Sequence, residues 1–246
     1  MAATGEKMNM PKLPNAYDVI IAVLSLLVLI NGYFLNSLPL AIASAIAGVG
    51  IAVAVEVVIE YFKTKKFIFS KSPVVSGLII ASIVKIGGFD QIALAAVLAV
   101  ILKKLITKES MPLFNPAASG LFVTFLFSRG LGEVWWGNST TVAVLLLGLL
   151  VSWRIKKLWI SFSYLLVHQA GVALLAGVSA ALSFFPLFSA FFMLTEPKTT
   201  PTSRNHQIAF GVLAAVLIHV FSYLNLPSAF LLGLLASNLA GKFFLK

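Results

Sequence analysis

The sequence predicts an all-α polytopic membrane protein, a single membrane domain over residues 1–246. Three observations lead there. Residues of the set AVILMFWYC make up 60% of the chain and charged residues 11%, against roughly 25% charged in an ordinary soluble domain. With a mean hydropathy of +1.01, the chain carries more apolar surface than a soluble core of its size can hide. Ten apolar segments approach the roughly 20 residues that a helix needs to cross a bilayer. Numbering their connections alternately puts sixteen of the eighteen Lys and Arg on one side, with only Lys85 and Arg129 on the other. That positive-inside bias places both termini in the cytoplasm of a multi-pass protein of the cytoplasmic membrane. The net charge of +10 therefore reports topology rather than a nucleic-acid partner.

The predicted spans are 18–35, 38–61, 73–87, 89–106, 115–131, 139–154, 157–175, 178–195, 207–224 and 227–244. Residues 1–17 form a cytoplasmic tail without a cleavage site, so the first span is expected to be an uncleaved anchor. The remainder divides into a first five-helix half, 18–134, and a second, 135–246. Echoes between the halves support the division. The third span opens on Ser72-Pro73 and runs into Ser76-Gly77; the eighth contains Pro186 followed by Ser189. The fifth opens on Asn115-Pro116 and the tenth on Asn225-Leu226-Pro227. Five is odd, so the two halves enter the membrane in opposite directions, which makes this an inverted repeat. Such repeats place ligands near the midplane on interrupted helices. The third span is short and ends in Gly87-Gly88, as such an interruption requires.

The chemistry is narrowed by what is missing. Cys is absent, which excludes disulfides and thiolate chemistry. Three His and eight carboxylates leave little for a metal site, and no phosphate loop or nucleophile motif occurs. The densest polar run is Thr195–Gln207, where Thr195, Glu196, Lys198, Thr199 and Thr202 offer donors and acceptors in a frame stiffened by Pro197 and Pro201. A solvated loop capped by Ser203 or Asn205 is the bland alternative. Asn115 before Pro116 offers an amide at a helix start, as cap or as ligand, with small residues such as Ala118 behind it. Glu56 and Glu60 are expected to pair with Lys63 and Lys66. His168 and His219 are expected to be buried and hydrogen-bonded. Trp135 and Trp136 read as an interfacial belt, or as a lid over an aromatic ligand.

The stretch Phe192-Met193-Leu194-Thr195-Glu196-Pro197-Lys198-Thr199-Thr200-Pro201, with Phe114-Asn115-Pro116-Ala117 and Ser76-Gly77-Leu78, resembles a membrane family. That family comprises the B component of the sodium-pumping NADH:quinone reductase and the D component of the Rnf electron-transport complex. The resemblance implies ten helices in two inverted five-helix repeats, urea-channel-like, and a bound flavin. It also implies FMN attached to the Thr of a Ser-Gly-Ala-Thr motif between the fifth and sixth helices. Here that place reads Gly137-Asn138-Ser139-Thr140-Thr141, so no covalent flavin is expected.

The first reading is therefore a stand-alone riboflavin transporter. The alternative is a flavin-holding electron-transfer subunit of an Rnf-like ion-pumping complex, with FMN in place of riboflavin. A small-solute channel without flavin is a third class. Phe114, Phe191 and Phe192 would wall the flavin ring, Asn115 and the start of its helix at Pro116 and Ala118 would meet its edge, and Thr195, Glu196, Lys198, Thr199 and Thr202 would hold the ribityl tail. Ser76 and Gly77 are further binding candidates. Flavin binding is expected to depend on Asn115, Thr195 and Glu196 more than on Glu56, His168 or His219. Beside the bilayer and riboflavin, self-association into a homo-oligomer is left open.

Overall fold

The computed structural model describes residues 15–109, 111–128 and 132–244. The tail residues Lys7 and Lys12, with Arg129 and Lys246, lie outside the described residues, so those parts of the charge sorting have no structural counterpart here.

α1 (Ala16–Phe34) starts where the Asn15 side chain accepts the Tyr17 N–H at 3.2 Å. α2 (Leu38–Thr64) has Pro39 in its first turn and stops at Lys65, which turns left-handed at φ 57°. α3 (Ser72–Ile83) follows, with Pro73 in its first turn. It was expected to reach residue 87 but ends four residues earlier, at an extended Val84. The cause is distant in sequence: the Ile83 carbonyl accepts the N–H groups of Val134 and Trp135 at 2.9 and 3.2 Å. α4 (Phe89–Leu105) leads into a two-residue hairpin, β1 (Thr107–Lys108) with β2 (Met111–Pro112), which the apolar pattern did not foreshadow. α5 (Pro116–Phe127) is shorter than the span 115–131 expected for it.

After a 3₁₀ turn at Trp136–Asn138 come α6 (Thr141–Arg154) and α7 (Leu158–Ala176). The eighth predicted span, 178–195, is not one helix. It is α8 (Val178–Ser183), a break, and a π-helical segment Ser189–Met193. Gly177 at φ 93° opens α8, and Pro186 closes the break because its ring lacks an N–H and pushes Phe185 toward extended backbone. α9 (Arg204–Tyr223) begins earlier than expected, capped where the Ser203 hydroxyl accepts the His206 N–H at 3.4 Å. α10 (Ala229–Phe244) completes the described chain.

α1, α2, α7 and α9 are long and apolar enough to cross a bilayer, and α3, α5, α6 and α10 are shorter apolar helices. This is an all-α membrane protein. At 12 residues, α3 and α5 reach roughly 18 Å, well short of the roughly 30 Å hydrocarbon thickness. They lie inside the bundle instead, and every residue of α3 but Val74 is buried.

The packing follows the chain order twice. α2 packs on α3 and α4, α1 on α2 and α3, and α4 on α5; α7 packs on α8, the π-helical segment and α9, α6 on that segment, and α9 on α10. Across the molecule α1 meets α6 and α5 meets α10. Close approach rests on glycines. A Cβ on Gly77 would sit 2.5 Å from the Gly48 carbonyl oxygen, so α2 and α3 touch backbone to backbone there.

Candidate functional site

The polar residues singled out in the sequence gather at one end of the bundle, the end that carries the basic helix termini. Asn115 is 1% exposed and joins three elements. Its side-chain oxygen accepts the Ala118 N–H at 3.1 Å, its amide donates to the Met193 carbonyl at 2.8 Å, and its backbone N–H donates to Asn238 Oδ1 at 2.9 Å. α5, α10 and the end of the π-helical segment are tied at that one residue. Pro116 and Ala118 are buried in the same turn, and Phe114 beside it is half-buried. Ser76 and Gly77 lie on α3, where Gly77 faces α2.

Thr195 donates its hydroxyl to the Phe191 carbonyl at 2.5 Å, closing the turn behind the π-helical segment. Glu196, 7% exposed, accepts a long hydrogen bond from the Tyr17 hydroxyl at 3.4 Å. Burial holds its carboxyl above the usual range, outweighing the pull of Lys198 and Lys103. The void beside Phe192, Thr195 and Glu196 is about 10 Å³, space for about one water. No flat ring fits there.

Lys198, Thr199 and Thr202 line a separate cavity of about 280 Å³ with Thr200, Glu109 and Lys242. The Thr199 hydroxyl is buried there without a partner. A residue that sequence reasoning missed holds this loop in place. Lys157, 4% exposed, donates to the Thr200 and Pro201 carbonyls at 3.0 and 2.5 Å. Desolvation pushes its ammonium down to about 8, against the pull of Glu196. In the sequence Lys157 is one more cation in a basic run, and nothing there separates it from Lys156. Glu56 and Glu60 also differ from expectation. Their partners are Lys103 and Lys104 of α4, with Glu56 3.1 Å from Lys103 and 3.4 Å from Lys104, because α2 packs along α4.

The opposite end is aromatic. Trp136 is buried and donates to the Ala81 carbonyl at 2.6 Å, so it belongs to the interior rather than to an interfacial belt. Asn31 anchors the turn below it, accepting the Thr140 N–H and hydroxyl at 2.9 and 2.7 Å and donating to the Gly137 carbonyl at 3.0 Å. Asn138 grips both sides of the break before the π-helical segment. It donates to the Phe185 carbonyl at 3.0 Å and accepts the Phe188 N–H at 2.9 Å.

Two cavities open at this end. An outer vestibule of about 630 Å³ is lined by Trp135, Asn138, Ser139, Thr141, Phe184 and Phe185, among others. An inner cavity of about 140 Å³ shares Trp135, Asn138 and Phe184 and adds Tyr164, His168, Phe188, Ser189 and Phe230. Trp135 meets Phe230 edge to face at 4.8 Å. Tyr164, His168 and His219 stack in a row, with ring centroids 5.3 and 4.7 Å apart. His219 is held as expected, Nε2 at 3.0 Å from the His168 carbonyl. The Tyr164 hydroxyl is buried near Ser189 without a well-aligned hydrogen bond, and His168 Nδ1 is buried without a partner. None of the predicted site residues lines these two cavities, and Phe192 comes close through its packing on Phe188, ring centroids 5.1 Å apart. Among the described residues no cluster of three or more His, Cys, Asp or Glu is placed to hold a metal.

The fold and cavities thus define a helical membrane protein with two adjoining aromatic-walled cavities at one end. No family model matches the chain. Over 168 residues, 63% of the chain, it is 30% identical to the D component of the ion-translocating oxidoreductase complex of Shewanella pealeana. The chain spans about half the length of that relative, the matched stretch covering 45% of it.

Proposed function

We propose that the chain is a flavin-holding membrane subunit of an Rnf-type ion-translocating oxidoreductase, with the flavin bound non-covalently at the aromatic end. The similarity to a D component of such a complex supports the class. The observation that carries the flavin is the vestibule: about 630 Å³, walled by Trp135, Phe184 and Phe185, and rimmed by Thr141. That volume falls within the roughly 300–1,000 Å³ of small-molecule sites. Residues 137–141 stand where the resembling family attaches its FMN. The Thr140 hydroxyl is engaged by Asn31, which supports non-covalent binding. A bound flavin would supply one- and two-electron transfer. The chain's own part is to wall the ring and keep water from it.

In this reading Asn115, Thr195 and Glu196 hold the two halves together at the far end. The like-for-like packing supports ten spanning segments in two inverted five-helix halves, urea-channel-like, with α1 against α6 and α5 against α10 across the pseudo-twofold. The basic end faces the cytoplasm.

One observation favours riboflavin transport as a second reading. The same interrupted segment has a cavity at each end, the aromatic chamber before Ser189 and the hydroxyl-lined one at Pro197–Thr202. Purified protein decides between them. Yellow colour released by acid, with dithionite bleaching and air reoxidation of the bound flavin and no riboflavin uptake into proteoliposomes, is expected for the electron-transfer subunit. Uptake of labelled riboflavin would favour transport, colour that stays with the denatured chain would mean covalent FMN, and colourless protein that binds no added flavin would remove both flavin readings.

A further inference from the structure

The geometry points to an edge-first pose for the flavin. Its N–H and flanking carbonyl enter the inner cavity against Tyr164 and His168, and its tail stays in the vestibule beside Ser139 and Thr141. This rests on the flavin reading above. At about 140 Å³ the inner cavity is too small for a whole ligand by the usual scale, so it admits part of a ring system. The larger vestibule lies against the same Trp135, Asn138 and Phe184, so a long flat molecule can lie across both.

The polar atoms decide which part goes in. The Tyr164 side chain is fully buried, and its hydroxyl lies near Ser189 without forming a well-aligned hydrogen bond; His168 Nδ1 has no partner. Buried polar groups are nearly always paired, so two unsatisfied atoms on one apolar cavity mark where a ligand makes hydrogen bonds. The other polar lining groups are engaged: Asn138 with Phe185 and Phe188, and the Ser189 hydroxyl with the Pro186 carbonyl at 2.8 Å. What remains is a hydroxyl donor beside an imidazole nitrogen that accepts when its proton is on Nε2. The pyrimidine edge of a flavin offers the complement, a carbonyl for Tyr164 and the adjoining N–H for His168. A polyol tail has no use for the aromatic walls of Phe188 and Phe230. Stacking on Tyr164 and His219 fixes the His168 ring, so the acceptor is in place before the ligand arrives.

Fluorescence-quenching titrations of the full-length chain in detergent test the pose, using riboflavin, FMN, lumiflavin (which lacks the ribityl tail) and N3-methyl-lumiflavin. On the wild type, riboflavin, FMN and lumiflavin should agree within about tenfold, and methylation at N3 should weaken binding roughly 5- to 150-fold. Tyr164→Phe and His168→Phe keep the stacked rings and should weaken lumiflavin by a similar factor. The methyl group should cost nothing further in His168→Phe, because the partner it blocks is already gone. Unchanged affinity for lumiflavin in both variants, or for the N3-methyl compound on the wild type, overturns the edge-first pose while leaving flavin binding intact. No binding of any flavin to the wild type overturns the flavin reading itself. The methylated compound needs no variant, so a poorly folded His168→Phe does not weaken the test.

Discussion

Lys157 stands between α6 and α7 with no acid in contact, its charge facing the carbonyls of Thr200 and Pro201. Its ammonium loses its proton near pH 8 in the folded chain, against the ordinary 10.5. Between those values the unfolded chain holds a proton that the folded chain has released, so stability rises with pH across the window. Lys157→Met should abolish that rise. It should also lower the melting temperature at pH 7, because each carbonyl left without a donor costs about 1–3 kcal/mol. Glu196 gives the opposite slope on the acid side. Its carboxyl is raised above the usual 4.5 by burial, so the folded chain keeps a proton that the unfolded chain has lost. Stability therefore falls as pH climbs from 4.5 through the raised value, and Glu196→Gln should flatten that fall. Melting curves in detergent from pH 4 to 10 read both effects, and parallel profiles for wild type and variants would refute them. Neither behaviour is legible in the sequence, where Lys157 is a topological charge and Glu196 one polar residue among many.

At the scale of elements, the helix pairs depend on surfaces without side chains. Gly77 and Gly48 meet so closely that a methyl group on Gly77 has backbone on its far side and cannot be accommodated by a rotamer change. Gly77→Ala should therefore force α2 and α3 apart and cost about 1–3 kcal/mol. Gly50, two residues along α2 from Gly48, has nothing within 4 Å of its would-be Cβ. Gly50→Ala should be neutral or stabilising by up to about 1 kcal/mol, since Ala is the better helix former. Equal melting temperatures for the two variants would contradict the contact. Part of this level was readable beforehand. Pro186, as the echo of Pro73, pointed to an interruption, although 178–195 was expected as one span, and Asn115-Pro116 marks a capped helix start. The end of α3 was not, because it is set by Val134 and Trp135, some 50 residues on. The pair of aromatic cavities was hidden for the same reason. Trp135, the α7 pair Tyr164 and His168, Phe188 and Phe230 come from four separate stretches of the chain, and among them only Trp135 carried a hint, as a lid over an aromatic ligand.

For the whole molecule, the direction of the last two helices hangs on one crossing. The eighth span is broken into α8, an extended link and the π-helical segment, and only if these together traverse the bundle do α9 and α10 keep their alternation. The structure ties their ends to different places. Asn138 holds the start of the traverse at the aromatic end, and Lys157 holds the loop that follows it at the basic end. Among the described residues, Lys85 is the basic residue left at the aromatic end, so a positive-inside orientation puts that end outside. The chain has no Cys, and single Cys residues can be introduced without removing any. Phe67 lies between α2 and α3, Tyr223 and Phe244 end α9 and α10, and Ser139 lines the vestibule, so these four positions sample both ends of the bundle without lying in its core. An impermeant maleimide on intact cells should label Cys introduced at 139 and 223, and reach 67 and 244 only after permeabilisation. Labelling of 67 and 244 in intact cells, with 139 and 223 protected, would invert the orientation. Labelling of 139 with 244 but not 223 would mean that the broken segment turns back without crossing.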